Sequence, residues 1–513
     1  MSVRSRSLFL FPIAVVCLVA DLAAAGGPAA PLAEAQRELF AARYENAARL
    51  YSKIVAEDPA NGDAWCGLVK AELAAHHSRE AYAAAAEALN KAPQSAGAHT
   101  AAALAAFRRG DLPTAEHLYH LVLKTDGNYA PALSGLARVY SAVSMFKTAR
   151  GLRLHAYHVT PDDPSLMETY ASTLKGEAHV AMLLAALREL DPASEEARAL
   201  AAHIANEKVA ANVGADHGMG RLVSPYEPAR LKLYRILDGP RRARGVGLAV
   251  RLNDKATANL LLDSGASGVA ISPKLAEKAG LEAINGAAFE IKGIGDSKAQ
   301  STIAYIARDL CAGDVAFADY PIAAFQSAKS ADFDGLIGPD VFRRFIVKID
   351  FPQLAMELQP RPNGASEDAE EPVDFKGSPA TGFYRVFRFG DHLAVPTFIN
   401  GGRSALFLVD SGSSSNLIDT ETAREFTKVD SDSRTVVKGI QGRVDQTSRA
   451  NRISLVFAGF RQDNPDLIAI SLEKMSDSMG IGFGGILGMP VLGQLAVTVD
   501  YREGTIRLDY KKP

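Results

Sequence analysis

From about residue 30 to 207 apolar residues recur every three to four positions in a stretch rich in Ala and Leu, which predicts packed helices. From about 245 the pattern switches to period two, in short apolar or β-branched runs at Val246 to Leu252, Ala258 to Leu262, Gly268 to Ile271, Phe345 to Asp350 and Ala355 to Leu358. Such runs predict strands joined by close turns. The pattern stops at Pro360 to Pro379, where Glu367, Asp368, Glu370 and Glu371 stand among four prolines in the composition of an extended linker. It restarts at Phe383, with Tyr384 to Phe389, Leu393 to Ile399, Ala405 to Val409, Ser454 to Phe457, Ala496 to Val499 and Thr505 to Asp509. The reading is multidomain: an all-α solenoid over 30–207, a linker over 208–244, an all-β lobe over 245–360, an acidic, proline-rich linker over 361–381 and a second all-β lobe over 382–513. Gly214, Gly218, Gly220, Pro225, Pro228 and Pro240 mark the first linker, with some order expected around Leu231 to Leu237. The short basic run Arg241-Arg242-Ala243-Arg244 that ends it reads as solvated surface.

The helical region repeats. Pro59, Pro93, Gly127 and Pro161 stand 34 residues apart, as do Ala47, Ala81, Ala115 and Ala149, and Leu68, Ala102 and Leu136. One helix pair cannot bury its apolar stripe alone; stacked pairs bury a continuous core and leave a concave groove. The period, with Trp65 and Leu68 in one unit and Leu136, Ala137 and Tyr140 two units later, resembles the tetratricopeptide repeat (TPR). That resemblance implies a groove for a peptide or partner protein, with a spacer or dimerisation arm as the alternative. Tyr119, Tyr129, Tyr140 and Tyr157 are placed in the inter-helix core before the groove. A last unit, from about Pro164 to Ser194, departs from the period because Pro192 comes three residues early, as in a capping unit.

A formal net charge of -3 and a pI near 6.4 give no long-range pull toward nucleic acid or anionic lipid. Arg4 and Arg6 before the apolar run Leu8 to Ala20, followed by Ala23-Ala24-Ala25, read as a signal peptide over 1–25. A secreted or periplasmic protein is expected, without a membrane span after cleavage. The alternative is an N-terminal anchor, against which Asp21 ends the apolar run early. Cys17 lies in this segment behind Val16 rather than the small residue of a lipoprotein signal. Cys66 and Cys311 remain, in different domains and outside any metal-ligand spacing, so neither a disulfide framework nor a metal or other cofactor is expected. His76-His77, His117 with His120 and His155 with His158 lack an accompanying carboxylate motif. Gly480, Gly482, Gly484 and Gly485 lack the Lys-Ser/Thr of a phosphate loop, and no Gly-x-Ser-x-Gly occurs.

The β regions share a longer signature. Leu260-Leu261-Leu262-Asp263-Ser264-Gly265 returns 147 positions later in Leu406-Phe407-Leu408-Val409-Asp410-Ser411-Gly412. Lys292-Gly293-Ile294-Gly295 is echoed by Lys438-Gly439-Ile440-Gln441-Gly442, and Gly335-Leu336-Ile337-Gly338 by Gly485-Ile486-Leu487-Gly488. An isolated Asp-Ser-Gly marks a turn; three matched elements in order, twice, require more than turns.

Each copy resembles the retropepsin-like aspartic proteases, and the pair resembles the two-lobed plan of pepsin-like enzymes. The resemblance covers about 245–360 and 382–511. It implies that Asp263 and Asp410 form a catalytic dyad, since two neighbouring carboxylates share one proton and can activate a water. It places Ser264, Gly265, Ser411, Gly412, Ser413, Gly338 and Gly488 in the supporting loops, with Ser264 and Ser411 bracing the loops against each other. Gly293, Ile294, Gly295, Gly439, Ile440 and Gly442 fall at the glycine-containing flap. The Ser413 hydroxyl, absent from Ala266 in the first copy, is expected to donate to Asp410 and make it the ionised member. Pro339-Asp340 and Met489-Pro490 stand where viral members carry an Arg-Asn-like pair, and neither flap tip holds a tyrosine. The implied function is an aspartic endopeptidase acting on peptide or protein substrates. Its alternatives are a non-catalytic peptide-binding scaffold and a protease active only as an intermolecular dimer.

Overall fold

The computed structural model describes residues 29–213, 220–238, 242–291, 300–324, 333–362, 382–439, 442–444 and 446–510. The signal segment with Cys17, most of the acidic linker, and Gly293, Ile294, Gly295 and Ile440 lie outside these residues.

The arm consists of helices α1 (Ala29–Phe40), α2 (Tyr44–Glu57), α3 (Gly62–Ala74), α4 (Ser78–Lys91), α5 (Ala96–Arg108), α6 (Leu112–Thr125), α7 (Ala130–Ala142), α8 (Phe146–Val159), α9 (Pro164–Ala171), α10 (Gly176–Glu189) and α11 (Glu195–Val213). Side chains of Asn61, Ser95, Asp111 and Asp163 cap the helices that follow them by accepting a backbone N–H. Ala47, Ala81, Ala115 and Ala149 are all fully buried, because only a methyl group fits where the helices of each pair cross. A Cβ on Gly67 would lie 2.2 Å from the Tyr51 ring, and one on Gly135 2.2 Å from the Tyr119 ring, so the same tyrosine-into-glycine contact recurs two units apart. Tyr119 is accordingly core. The turn inside each pair also repeats: Ala42, His76, Gly110 and Ser144 have φ of 58°, 64°, 80° and 66°. α9 is shortened to eight residues, in line with the broken period, and α10 and α11 close the array.

The order expected around Leu231 to Leu237 is present, and it extends through more of the 208–244 stretch than a linker implies. α11 runs on to Val213, and strands form at Arg221–Leu222, Ala229–Asp238 and Arg242–Leu252. Ala229–Asp238 pairs at its start with Ala355–Gln359 and at its end with Arg242–Leu252. Its Leu231, Leu233 and Ile236 are buried, which only the assembled sheet makes possible.

Each lobe is a strongly bent, mainly antiparallel barrel in which the strand that feeds the Asp-Ser-Gly loop forms one of two parallel pairs. That pair is Ala256–Leu262 with Gly335–Ile337 in the first lobe and Ser404–Val409 with Phe483–Leu487 in the second. The glycines of the latter explain the run that superficially suggests a phosphate loop: a Cβ on Gly485 would lie 2.2 Å from the Phe407 ring and one on Gly484 2.4 Å from Ala405. Between the lobes, Ile346–Asp500 to Asp350–Ala496 pair antiparallel. This seam joins the closing strands of both lobes and the stretch at 229–232 into one sheet beneath them. Arg361 clamps its rim, donating from Nε to Asp500 at 3.1 Å and from its terminal nitrogens to the carbonyls of Arg344 and Arg343. Arg361 is therefore buried sheet framework rather than linker.

The arm is not free. Phe107, Leu112, Val139 and Val143 share a core with Leu406, Leu408, Leu417, Ile470, Ile481 and Phe483 of the second lobe. Buried Arg108 donates to the Ser476 carbonyl at 2.5 Å and pairs with Asp477, while Gly482 N–H donates to the Arg108 carbonyl at 2.6 Å. His76 stands 3.2 Å from Asp477. Gly110 and Ser144 touch Leu406 and Gly504, so the same turn of three successive repeats meets the lobe.

Candidate active site

The two Asp-Ser-Gly loops are set by the strands that feed them. Asp263 N–H donates to the Ile337 carbonyl at 2.9 Å, and Asp410 N–H to the Leu487 carbonyl at 3.0 Å. The loops meet across the lobe boundary. Ser264 N–H donates to Ser411 Oγ at 3.0 Å and Ser411 N–H to Ser264 Oγ at 2.9 Å; the hydroxyls in turn donate to the Val409 and Leu262 carbonyls, each at 2.8 Å. Four bonds in a closed, buried ring fix one loop against the other.

This ring sets the carboxyl of each aspartate against the glycine of the other loop, close enough for the two groups to interact directly. The glycines explain themselves here: a Cβ on Gly265 would lie 2.7 Å from Asp410 Cγ, and one on Gly412 2.4 Å from Asp263 Cγ. Gly265 N–H donates to Asp263 Oδ1 at 2.8 Å, and the Gly412 and Ser413 N–H groups to Asp410 Oδ1 at 2.9 and 3.1 Å.

Gly338 and Gly488 complete the loops by close approach, since a Cβ on them would lie 2.5 Å from the Ala266 carbonyl oxygen and 2.4 Å from that of Ser415. The second bonds differ between lobes. In the first, Gly268 N–H donates to the Asp340 carboxylate at 3.0 Å; in the second, Gly488 N–H donates to Asn416 Oδ1 at 2.8 Å. Asp340 thus takes a bracing role at the departure from the viral pattern. Gly439 and Gly442 pair across a two-stranded ribbon at the expected flap.

Burial raises the pKa of Asp263, and the hydrogen bond from Asp410, the Gly265 amide and the charges of His392 and Arg244 act against that rise. Burial, followed by the charge of Asp263, lifts Asp410 well above the carboxylate range. Both members are raised, and the pair holds one proton between them. The expected donation from Ser413 to Asp410 is not made: Ser413 Oγ donates to the Ser415 carbonyl at 2.8 Å instead.

Two residues near the pair carried no motif. Arg244, in the run expected to be solvated, stacks over the Phe333 ring at 4.9 Å and places its charge near Asp263. His392 opens a strand of the second lobe and is half-buried near the dyad. Only the 147-residue offset, which aligns His392 with Gly245, could have drawn attention to it.

Residues 248–341 and 395–491 each match the model of the aspartyl protease family. The chain carries two aspartyl protease domains in tandem behind its helical repeats. Among solved structures it is similar to a thermophilic TPR protein of Thermus thermophilus, with 19% identity over 35% of this chain and 98% of that one and a TM-score of 0.27. It is also similar to MamA, with 18% identity over 32% of this chain and 96% of that one and a TM-score of 0.20. The repeat architecture itself stands on the helix packing described above. No curated protein matches the chain.

Proposed function

We propose that the chain is an aspartic endopeptidase whose dyad, Asp263 and Asp410, is completed within one molecule. The observation that carries this reading is the pair of half-buried carboxylates, each set against the glycine of the other loop, held by the Ser264–Ser411 ring. We assign the base to Asp263, whose ionised form the charges of His392 and Arg244 favour; it takes a proton from a water held between the carboxylates. Asp410 donates its proton to the oxygen of the scissile carbonyl, and the water oxygen attacks the carbon. The resulting diol collapses as the amide nitrogen leaves with a proton from the dyad. Because burial raises both groups, the singly protonated pair persists to higher pH than isolated carboxylates would allow.

The proposal includes substrate or partner binding by the repeats, and an extracytoplasmic site of action drawn from the N-terminal segment. The test is digestion of an unfolded protein by the mature chain across about pH 3 to 8, a range that brackets a shared-proton pair. Cleavage that disappears with Asp263→Asn and equally with Asp410→Asn supports one shared site. Specific activity independent of protein concentration excludes pairing between chains. Peptide binding without any cleavage at any pH favours the scaffold.

A further inference from the structure

Resting on the protease reading, we propose that His392 is a positioning residue for the dyad, a cation supplied at acid pH by one lobe only that keeps Asp263 ionised and able to activate water. Its place follows from the sheet. In the second lobe the ladder of His392–Ile399 with Ser404–Val409 ends at the pair Ala394 and Leu408, and His392 and Asp410 each lie two residues beyond that end, at the same end of the strand pair. From there the imidazole is close enough to Asp263 for their charges to interact. His392 Nδ1 is buried and has no hydrogen-bond partner among the described residues, which leaves no local structural bond to account for that nitrogen.

The first lobe carries no equivalent: Gly245 lies 147 positions earlier, and a Cβ there would lie 2.8 Å from Leu261 Cδ1 and 3.4 Å from the Ser411 carbonyl oxygen. The dyad, otherwise close to two-fold symmetric, therefore meets an imidazole from the second lobe alone, while the first lobe brings the permanent charge of Arg244.

The charges around His392 come from several elements. Asp263 acts on it from the first lobe, and Asp410 opens the loop that follows the paired strand Ser404–Val409. Asp391 precedes it, held by Arg343 at 2.7 Å and with Arg388 at 3.7 Å. Asp340 interacts with Asp391 from the 3-10 turn Pro339–Phe342, and Arg244 approaches Asp263 from its own strand. Burial pushes the imidazole below its ordinary pKa, against the pull of Asp391 and Asp263. It is thus neutral near neutrality and takes up its proton as the medium becomes acidic. A cation formed there opposes a second proton on the dyad and extends activity toward lower pH.

The experiment compares pH profiles of kcat/KM for the full chain and for His392→Gln, which keeps bulk and polarity without the charge. The substrate is a fluorogenic peptide taken from a site the chain cuts in unfolded haemoglobin. The expected result is an acid limb displaced upward by roughly half a pH unit or more. A lower plateau with an unmoved limb would mean a merely structural role and overturn the proposal. A second readout does not need turnover: NMR titration of 13C-labelled histidine, with the His392 signal assigned by its loss in His392→Gln. Its midpoint should fall in Asp263→Asn, because the carboxylate that favours the imidazolium is gone; an unchanged midpoint removes the coupling. A chain that cleaves nothing defeats the protease reading, and the titration still decides whether the two groups are linked.

Discussion

The two lobes present the same Asp-Ser-Gly loop and secure it with different atoms. In the first, Asp340 reaches back to the Gly268 amide; in the second, Asn416 reaches forward to the Gly488 amide. Burial and the neighbouring Asp391 push the Asp340 pKa up to about 7, whereas an amide never titrates. Outside the loops the contrast continues: the second lobe shares a core with the arm through Phe107, Leu112 and Val139 and is gripped by Arg108. Duplication of a motif has fixed the dyad's geometry without equalising its surroundings. Unequal surroundings are what a proton shared by two aspartates needs in order to reside on one of them.

The comparison is broken most severely at the dyad itself. Asp263→Asn and Asp410→Asn should each reduce cleavage by about 10^3-fold or more, despite their different surroundings, because either change removes the acid–base partnership. Steady-state hydrolysis of one peptide substrate checks this, and a large residual rate in either variant would separate the lobes functionally.

Arg108→Met tests the arm-covered lobe. It leaves the Asp477 carboxylate without its buried partner and should destabilise the second lobe by about 3 kcal/mol. Hydrogen exchange resolved by segment should show loosening at Glu473–Met479 and Phe483–Leu487 before the first-lobe strands.

The serine ring predicts equality. Ser264→Ala and Ser411→Ala each remove one hydroxyl donor and leave one buried N–H without its acceptor, at a cost of about 1–3 kcal/mol. Denaturant midpoints for the pair should agree closely; a clear inequality would mean the ring is less symmetric than its distances.

The smallest effect concerns pH. Asp340 has a folded pKa of about 7 against an unfolded value near 4, so folding favours its protonated form. Its contribution is fully present below about pH 4 and is lost as pH rises toward 7, amounting to a few kcal/mol at most. Asp340→Asn keeps an acceptor for Gly268 and should flatten that part of the stability profile. Asn416→Asp should introduce a comparable slope in the second lobe, measured as melting temperature against pH.

Much of this was legible along the chain. The 34-residue period located helix contacts that proved fully buried at Ala47, Ala81, Ala115 and Ala149. The apolar runs before Asp263 and Asp410 became the parallel pairs that aim both loops. Other strands were hidden. Phe460–Ile470 contains Arg461, Gln462, Asp463, Asn464, Pro465 and Asp466, and is a strand because Ser448–Phe457 supplies its ladder; Arg452, opposite Pro465, takes a φ of 54°. The stretch 229–238 shows only part of its strand in local pattern for the same reason: its pairing partners at one end, Ala355 to Leu358, lie far along the chain. Local pattern reports which face of a segment is apolar, and not which distant strand will satisfy its backbone.

By itself the sequence determined the elements with periodic or repeated chemistry: the helical units, two β lobes, and one carboxylate per lobe on a tight loop after an apolar strand. Those follow from spacing, which is a property of the chain. Only the tertiary structure decided that both carboxyls are raised together, that Ser413 turns to Ser415, and that Arg244 and His392 stand beside the pair. The shared proton depends on burial and on charges brought together across the 147-residue offset between the copies, and electrostatic energies are set by distance in space.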